Sequence, residues 1–156
     1  MNSATRNLLA GGAAGLLATI PMTLFMRLAK RALPRHERHP LPPRTVTKNV
    51  ARAAGAPIDN LPDAYQAGTS LAAHLAFGAG AGAVYGAVAE RTDLDPAVEG
   101  MGFGLLVWAS AYLGILPAAG LLPSAKDHPP RRTALMIAAH LVYGAALGHL
   151  ARTLRR

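Results

Sequence analysis

Two histidines in long apolar segments are the residues of this sequence best placed to do chemistry. His74 lies in the heptapeptide Ala-Ala-His-Leu-Ala-Phe-Gly (72–78), and His140 lies in the matching heptapeptide Ala-Ala-His-Leu-Val-Tyr-Gly (138–144). In each segment glycines follow the histidine at the fourth and eighth positions, which places all three residues on one face of a helix. Because an ionisable side chain is costly inside a membrane span, each histidine marks a candidate intramembrane polar site.

A neutral imidazole can ligate a metal or haem iron, pass a proton, or hydrogen bond to a neighbouring helix. We favour the third role, because a glycine-rich helix face brings another helix close to the histidine. A proton or substrate path and a haem or metal site are the alternatives. No haem signature accompanies the pair, so we predict no cofactor and no metal site. The remaining histidines lie in predicted loops or near a helix end: His36, His39, His128 and His149.

Familiar catalytic patterns do not occur in the sequence. It has no Walker loop, no HExxH, no GxSxG, and no pair of carboxylates within an apolar segment. No acidic residue lies deep in a predicted span, which counts against a cation-coupled transporter. There is no cysteine, and hence no disulfide or thiolate site. We therefore predict a non-enzymatic protein without catalytic residues.

The composition indicates an integral membrane domain. Of the 156 residues, 51% are apolar and 15% are charged, and the apolar residues form uninterrupted blocks without a polar face. Four blocks are long enough to cross a bilayer core of about 30 Å. The predicted spans are about 8–28, 67–89, 97–116 and 133–151. We interpret the first as a retained helix and not a signal peptide, since only Arg6 precedes it and Arg27, Lys30 and Arg31 follow it.

Glycines at GxxxG spacing occur in all four predicted spans and let helix backbones approach closely. The predicted packing residues are Gly11, Gly15, Gly78, Gly82, Gly86, Gly100, Gly104, Gly144 and Gly148. The sequence therefore predicts an all-α, integral membrane four-helix bundle of two tandem two-helix halves, closed within one chain or shared with a second copy.

The net charge of +8 arises from basic residues between and beside the apolar blocks, without interleaved aromatic residues. This pattern favours anionic lipid headgroups over nucleic acid. The first loop should hold a short amphipathic helix, capped by Thr45 and reaching about Ala54, in the headgroup region; a solvated loop helix is equally compatible. The predicted lipid contacts are Lys30, Arg31, Lys48, Arg52, Arg131 and Arg132.

The distribution of positive charge predicts the orientation in the membrane. Of the 16 lysines and arginines, eleven fall in the first and third loops, counting Arg27, and five fall in the termini and the second loop. The positive-inside rule then places both basic loops in the cytoplasm and both termini outside. Arg155 and Arg156 count against this orientation.

Three stretches together resemble a family of small uncharacterised bacterial inner-membrane proteins of the YagU-like kind: Gly-Leu-Leu-Ala-Thr-Ile-Pro-Met-Thr (15–23), His-Pro-Pro-Arg (128–131) and the apolar segment 134–148. The resemblance implies a bacterial inner-membrane protein and supplies no catalytic residues. Our leading functional prediction is a structural or interaction module that contacts the bilayer and forms a homo-oligomer or joins a membrane complex. The alternatives are a small transporter or channel subunit with a path lined by His74 and His140, and a haem- or metal-binding protein.

Overall fold

The fold is built from helices. The computed structural model describes residues 2–89 and 94–155, and no strand occurs in these ranges. The α-helices are α1 (Ser3–Ala29), α2 (Pro42–Ala53), α3 (Asp63–Val88), α4 (Pro96–Ala109), α5 (Leu116–Ala118) and α6 (Pro130–Leu154). A π-helical segment, Ser110–Ile115, joins α4 to α5. Most of the predicted second loop, including Arg91, and the C-terminal Arg156 lie outside the described residues.

Within the described ranges, four helical segments are long and apolar enough to cross a membrane: Ser3–Ala32, Asp63–Val88, Pro96–Ala118 and Pro130–Leu154. This finding confirms the predicted all-α fold with four candidate spans and makes the chain a multi-pass membrane protein. Helices α4 and α6 begin earlier than the predicted spans, at Pro96 and Pro130. Proline is tolerated in the first turn of a helix, because the N–H that it lacks has no partner there. At Asp95 the side chain also accepts the N–H of Ala97 at 2.8 Å and caps α4.

The four long helices are arranged in the order α3, α1, α6, α4. Helix α1 packs against α3, α4 packs against α6, and the two pairs join where α1 meets α6. Among the described residues, the outer helices α3 and α4 share no extensive contact. The central residues Ala14, Ala18, Ala139 and Leu147 are completely buried. This order leaves a gap between the two outer helices.

Glycines lie where α1 crosses α3 and where α4 crosses α6. A Cβ added to Gly82 would lie 2.6 Å from Cα of Gly15, and one added to Gly144 would lie 2.7 Å from the carbonyl carbon of Gly100, so neither site has room for a side chain. Large apolar side chains instead point outward, as with Leu106, which is 69% exposed. Small residues inside and large residues outside are typical of helices that pack within lipid.

Helix α2 lies in the first loop and packs against α3. It begins at Pro42 and not at Thr45, so the predicted cap was wrong. The Pro-rich sequence can start a helix because the first turn needs no N–H from Pro42 or Pro43. Lys48 and Arg52 lie on this helix, as expected.

The third span contains a π-helical segment that the sequence did not predict. The N–H of Leu116 bonds to the carbonyl of Ala111, five residues earlier. Pro117 has no N–H, and its ring disfavours the regular α-helical bond one turn back, so a wider turn satisfies the backbone here. Ala111 and Tyr112 are buried within this segment.

Candidate functional site

A cavity of about 470 Å³ lies in the gap between α3 and α4. Helices α1 and α6 supply its inner wall, and α2 covers the end near the basic loops. Phe77 on α3 and Ile115 in the π-helical segment line the cavity and are 60% and 65% exposed. The cavity therefore opens on a surface that faces lipid.

His74 contributes an imidazole to the cavity wall from α3. Its Nδ1 lies 3.2 Å from Oγ1 of Thr23 on α1, and that hydroxyl lies 2.7 Å from the carbonyl oxygen of Thr19. A hydroxyl has one hydrogen, and the shorter contact to a carbonyl, which can only accept, takes it. The Nδ1 of His74 therefore donates to Thr23, and its Nε2 carries a lone pair.

His140 contributes the second imidazole from α6 and is 6% exposed. Its Nδ1 lies 2.7 Å from the carbonyl oxygen of Met136, so this nitrogen must carry the hydrogen. The ring also meets Tyr112 edge-on at a centroid distance of 5.8 Å. The Nε2 of His140, like that of His74, is left as an acceptor.

The structure brings the two predicted histidines to the same cavity. His74 lies eleven residues after the start of α3, and His140 lies ten residues after the start of α6. At about 1.5 Å per residue, both are about 15 Å from the helix starts. The two imidazoles therefore lie at nearly the same level of the bundle.

Six hydroxyl groups of the described residues also line the cavity, and each donates its hydrogen to another group of the protein. Thr19, Thr47 and Thr69 donate to the carbonyl four residues earlier, at 2.7 to 3.0 Å, and Ser110 donates to that of Val107 at 3.1 Å. Two tyrosines join helices: the Tyr143 hydroxyl donates to the carbonyl of Gly78 at 2.8 Å, and the Tyr112 hydroxyl meets Sδ of Met136 at 3.7 Å.

The cavity is closed on the side away from the basic loops. Gly78, Ala81 and Tyr143 lie at this end of its wall, and beyond them the ring of Tyr85 on α3 packs against that of Phe103 on α4 at a centroid distance of 5.1 Å. Ala14 and Leu147 are completely buried at the same level of the bundle. The cavity is therefore a blind recess that reaches part of the way across the four helices.

Two of the predicted lipid contacts, Lys48 and Arg52, share one carboxylate. Asp59 lies 2.8 Å from Nζ of Lys48 and 2.6 Å from Nε of Arg52. The hydrogen bond from Arg52, followed by that from Lys48, lowers the pKa of Asp59 to about 2, and Asp59 in turn raises the pKa of Arg52. The pair therefore presents a smaller net charge to its surroundings than the sequence suggests.

Arg132 was predicted to contact lipid, but it is 7% exposed and bound by the protein backbone. Its guanidinium donates to the carbonyl of Pro40 at 2.6 Å and lies 3.4 and 3.5 Å from those of Glu37 and His39. The prediction for Arg132 was wrong, because the Pro-rich first loop packs against the start of α6 and its carbonyls need donors. Arg31 and Arg131 are exposed at the same end, and Lys30 is partly buried.

The remaining histidines do not join the cavity. His36, His39 and His149 are exposed. His128 is partly buried, its Nε2 has no hydrogen-bond partner among the described residues, and burial lowers its pKa. Across residues 2–89 and 94–155, no three His, Cys, Asp or Glu side chains are grouped so that they could hold a metal ion.

Sequence reasoning identified both histidines and missed the groups that orient them. Thr23 on α1 was not predicted as a partner of His74, and its hydroxyl binds that imidazole. Tyr143 lies one helical turn after His140, a spacing that could have marked it as a second polar residue on this face. The cavity itself has no local signal, because it depends on the order in which four helices pack.

A family model described as "Protein of unknown function (DUF1440)" matches residues 35–148. The match includes all of α2, α3 and α4 and most of α6, and therefore every element of the cavity wall except α1. No curated protein and no solved structure matches the chain.

Proposed function

The chain belongs to the DUF1440 family, and we propose that it is a non-enzymatic protein of the bacterial inner membrane that binds a lipid-soluble molecule in the cavity between α3 and α4. The observation that carries this proposal is a cavity of about 470 Å³ that opens toward lipid. Volumes of this order suit small-molecule sites, which are mostly apolar with a few placed polar groups.

The chemistry of the wall supports binding without catalysis. Among the described lining residues, the histidines His74 and His140 are the titratable groups that act near neutral pH, and no carboxylate, lysine, arginine or cysteine joins them. A general acid–base pair or a nucleophile needs a partner group within hydrogen-bond reach. Both Nδ1 atoms are instead bound to groups that fix the rings in place.

The alternatives from the sequence have less support from this geometry. A transport path needs continuity across the bundle, whereas the recess ends where Tyr85 on α3 packs against Phe103 on α4. A metal site would need ligands beyond His74 and His140, and among the described residues no cysteine, aspartate or glutamate lines the cavity. A homo-oligomer or a membrane-complex partner stays a prediction.

The basic loops favour a cytoplasmic position at an anionic membrane surface. Arg31 after α1 and Arg131 in the first turn of α6 are exposed, and the hydrogen bonds of Arg132 hold the start of α6 against the first loop at one end of the bundle. Anionic headgroups attract such juxtamembrane cations by about 1 kcal/mol each. In this arrangement the cavity lies in the cytoplasmic half of the bilayer.

A quenching experiment tests the proposed binding. The chain has a single tryptophan, Trp108, whose ring stacks on the cavity residue Tyr112 at 6.3 Å. Bromine quenches indole fluorescence at short range. We expect 12-bromododecyl methyl ether, added to the protein in phosphatidylethanolamine–phosphatidylglycerol nanodiscs, to quench Trp108 with a saturable dependence on its mole fraction.

Two neighbouring alanines on α3 provide a matched pair of variants. Ala73 lines the cavity, whereas its exposed neighbour Ala72 does not. Ala73→Phe should fill the recess and abolish saturation, and Ala72→Phe should leave it unchanged. If quenching rose linearly with the mole fraction of the probe, with equal slope in the original chain and in both variants, the probe would only be partitioning into the lipid. That result would overturn the proposed function.

A further inference from the structure

The polar side-chain hydrogens of the described cavity wall are all used in hydrogen bonds to the protein itself. The six hydroxyl groups of the wall donate to backbone carbonyls or, for Tyr112, to the sulfur of Met136. The two Nδ1 hydrogens are bound to Thr23 and Met136. The backbone N–H groups of the wall belong to helices, where they are paired along the helix. No side-chain donor on the described wall is left for an occupant.

Acceptors remain on the same wall. Among the described residues, neither Nε2 of His74 nor Nε2 of His140 has a hydrogen-bond partner. Both histidines line the cavity, and neither Nε2 is a fully buried atom. An imidazole lone pair accepts one hydrogen bond. An occupant with only acceptors would leave both its own polar atom and the imidazole unpaired, which is unfavourable in an apolar site.

From this inventory we infer that the cavity selects a lipid-soluble alcohol or phenol, whose hydroxyl donates to Nε2 of His74 or His140 while its apolar body fills the recess and the opening between α3 and α4. The inference rests on the proposed binding function and names the chemical class of the ligand. Thr23 and the carbonyl of Met136 are positioning groups, because they fix the tautomer in which each Nε2 accepts.

The test compares two probes that differ in a single hydrogen-bond donor. Quenching of Trp108 is titrated with 12-bromododecan-1-ol and with 12-bromododecyl methyl ether in the same nanodiscs, and the signal of the Ala73→Phe variant is subtracted as the lipid background. We expect the alcohol to half-saturate at a mole fraction about five- to tenfold lower than the ether, the effect of one buried hydrogen bond. In both probes the bromine is at the end of the dodecyl group opposite the oxygen, so the quencher is placed identically.

Variants then assign the acceptor. The double variant His74→Leu/His140→Leu should bind the two probes equally, whereas His149→Leu, which changes an exposed histidine of α6, should keep the preference for the alcohol. If the double variant does not fold, Thr23→Val provides the test. The valine side chain has nearly the same shape as threonine but cannot accept the Nδ1 hydrogen of His74. The tautomer of His74 is then no longer fixed, and where His74 is the acceptor the preference for the alcohol over the ether should shrink.

The outcomes separate the two proposals. Saturable binding of both probes with equal affinity would overturn the inference and leave the proposed function standing. An alcohol preference that persists in the double variant would overturn the assignment to these histidines, and one that persists unchanged in Thr23→Val would overturn the assignment to His74 and leave His140 as the acceptor. Absence of saturable binding by either probe would overturn the proposed function together with the inference.

Discussion

At the scale of single residues, the hydrogen-bond partners of each side chain decide its role more than its residue type does. The sequence marks His74 and His140 as equivalent, and in the structure their rings are held by different groups, a threonine hydroxyl on another helix and a carbonyl of the same helix. The result is nevertheless the same tautomer on both rings. Because a tautomer depends on such partners, the sequence could locate the imidazoles but not their donor and acceptor atoms.

Arg132 illustrates the same point and leads to a testable prediction. Its guanidinium is the donor for carbonyls of the Pro-rich first loop, including that of Pro40 at 2.6 Å. Arg132→Gln should lower the free energy of unfolding by about 2 kcal/mol, because a buried, charged donor is lost and loop carbonyls stay unpaired. Thermal or denaturant unfolding in detergent measures the change.

The adjacent Arg131 is the control for this prediction, because it is exposed. Arg131→Gln should change the free energy of unfolding by no more than about 0.5 kcal/mol. Equal losses for the two variants would show that the charge of this loop, and not the buried bonds of Arg132, stabilises the fold.

The Asp59 cluster gives a prediction about pH. The lowered pKa means that the ion pairs stabilise the folded chain at pH values above the usual aspartate pKa of about 4, and that this contribution is lost as the pH falls through about 2. A ¹³C NMR titration of the Asp59 carboxyl in micelles should have its midpoint at about 2. Arg52→Gln should raise the midpoint the most, because Arg52 is the main cause, and Lys48→Gln should raise it less.

The control for this titration is Arg35→Gln, which changes an exposed basic residue of the same loop that makes no side-chain bond to Asp59. Its midpoint should stay at about 2. A midpoint near 4 in the original chain would contradict the ion-pair geometry of α2.

At the scale of helices, glycine positions on one helix fall into two classes with opposite expected responses. Gly82 on α3 faces α1, whereas Gly80, two residues earlier, has no atom within 4 Å of an added Cβ. Gly82→Ala should destabilise the protein by about 1 to 3 kcal/mol, since the α1 backbone must move to accommodate the methyl group. Unfolding in a mild detergent measures this loss.

Gly80→Ala is the matched control and should stabilise the protein by up to about 1 kcal/mol, because alanine has the higher helix propensity. A second pair tests the other half of the bundle, with Gly144→Ala at the α4 contact and Gly102→Ala at an open position. If all four variants had the same effect, close backbone packing would not be what holds the helix pairs together.

The sequence predicted the helical elements well and their junctions less well. Uninterrupted apolar blocks gave four long helices, and the residue types at GxxxG spacing coincide with the places where the structure leaves no room for a Cβ. The start of α2 at Pro42 and the π-helical segment Ser110–Ile115 were missed. Both depend on how proline changes the backbone bonds of its neighbours, an effect that apolar periodicity does not record.

At the scale of the whole molecule, the cavity results from the order of the four long helices. Two tightly packed pairs meet through α1 and α6, so α3 and α4 remain apart around the cavity, and among the described residues only α2 extends across the opening. Each pair is encoded by a local glycine pattern, but the order in which the pairs join is not. The sequence therefore predicted the spans and the two histidines without predicting the space between them.

The orientation of this asymmetric bundle decides which half of the bilayer holds the cavity. Both Pro-rich basic loops lie at the cavity end, where Asn49 on α2 donates to the carbonyl of Leu121 at 2.8 Å and joins the two loops. At the other end Arg152 lies 3.6 Å from Glu99, and Arg155 donates to the carbonyl of Ala89 at 3.1 Å. The larger number of lysines and arginines still lies in the two basic loops, so the positive-inside rule favours a cytoplasmic cavity.

Cysteine accessibility tests this orientation directly, because the chain contains no cysteine of its own. Four exposed positions suit single substitutions: Ala4→Cys and Thr153→Cys near the termini, and Arg35→Cys and Lys126→Cys in the basic loops. In intact cells, a membrane-impermeant maleimide should label the two terminal variants and should label the two loop variants only after permeabilisation. The reverse pattern would place the basic loops and the cavity on the outer side, against the charge bias. Mixed labelling at all four positions would mean that the loop arginines do not fix one orientation.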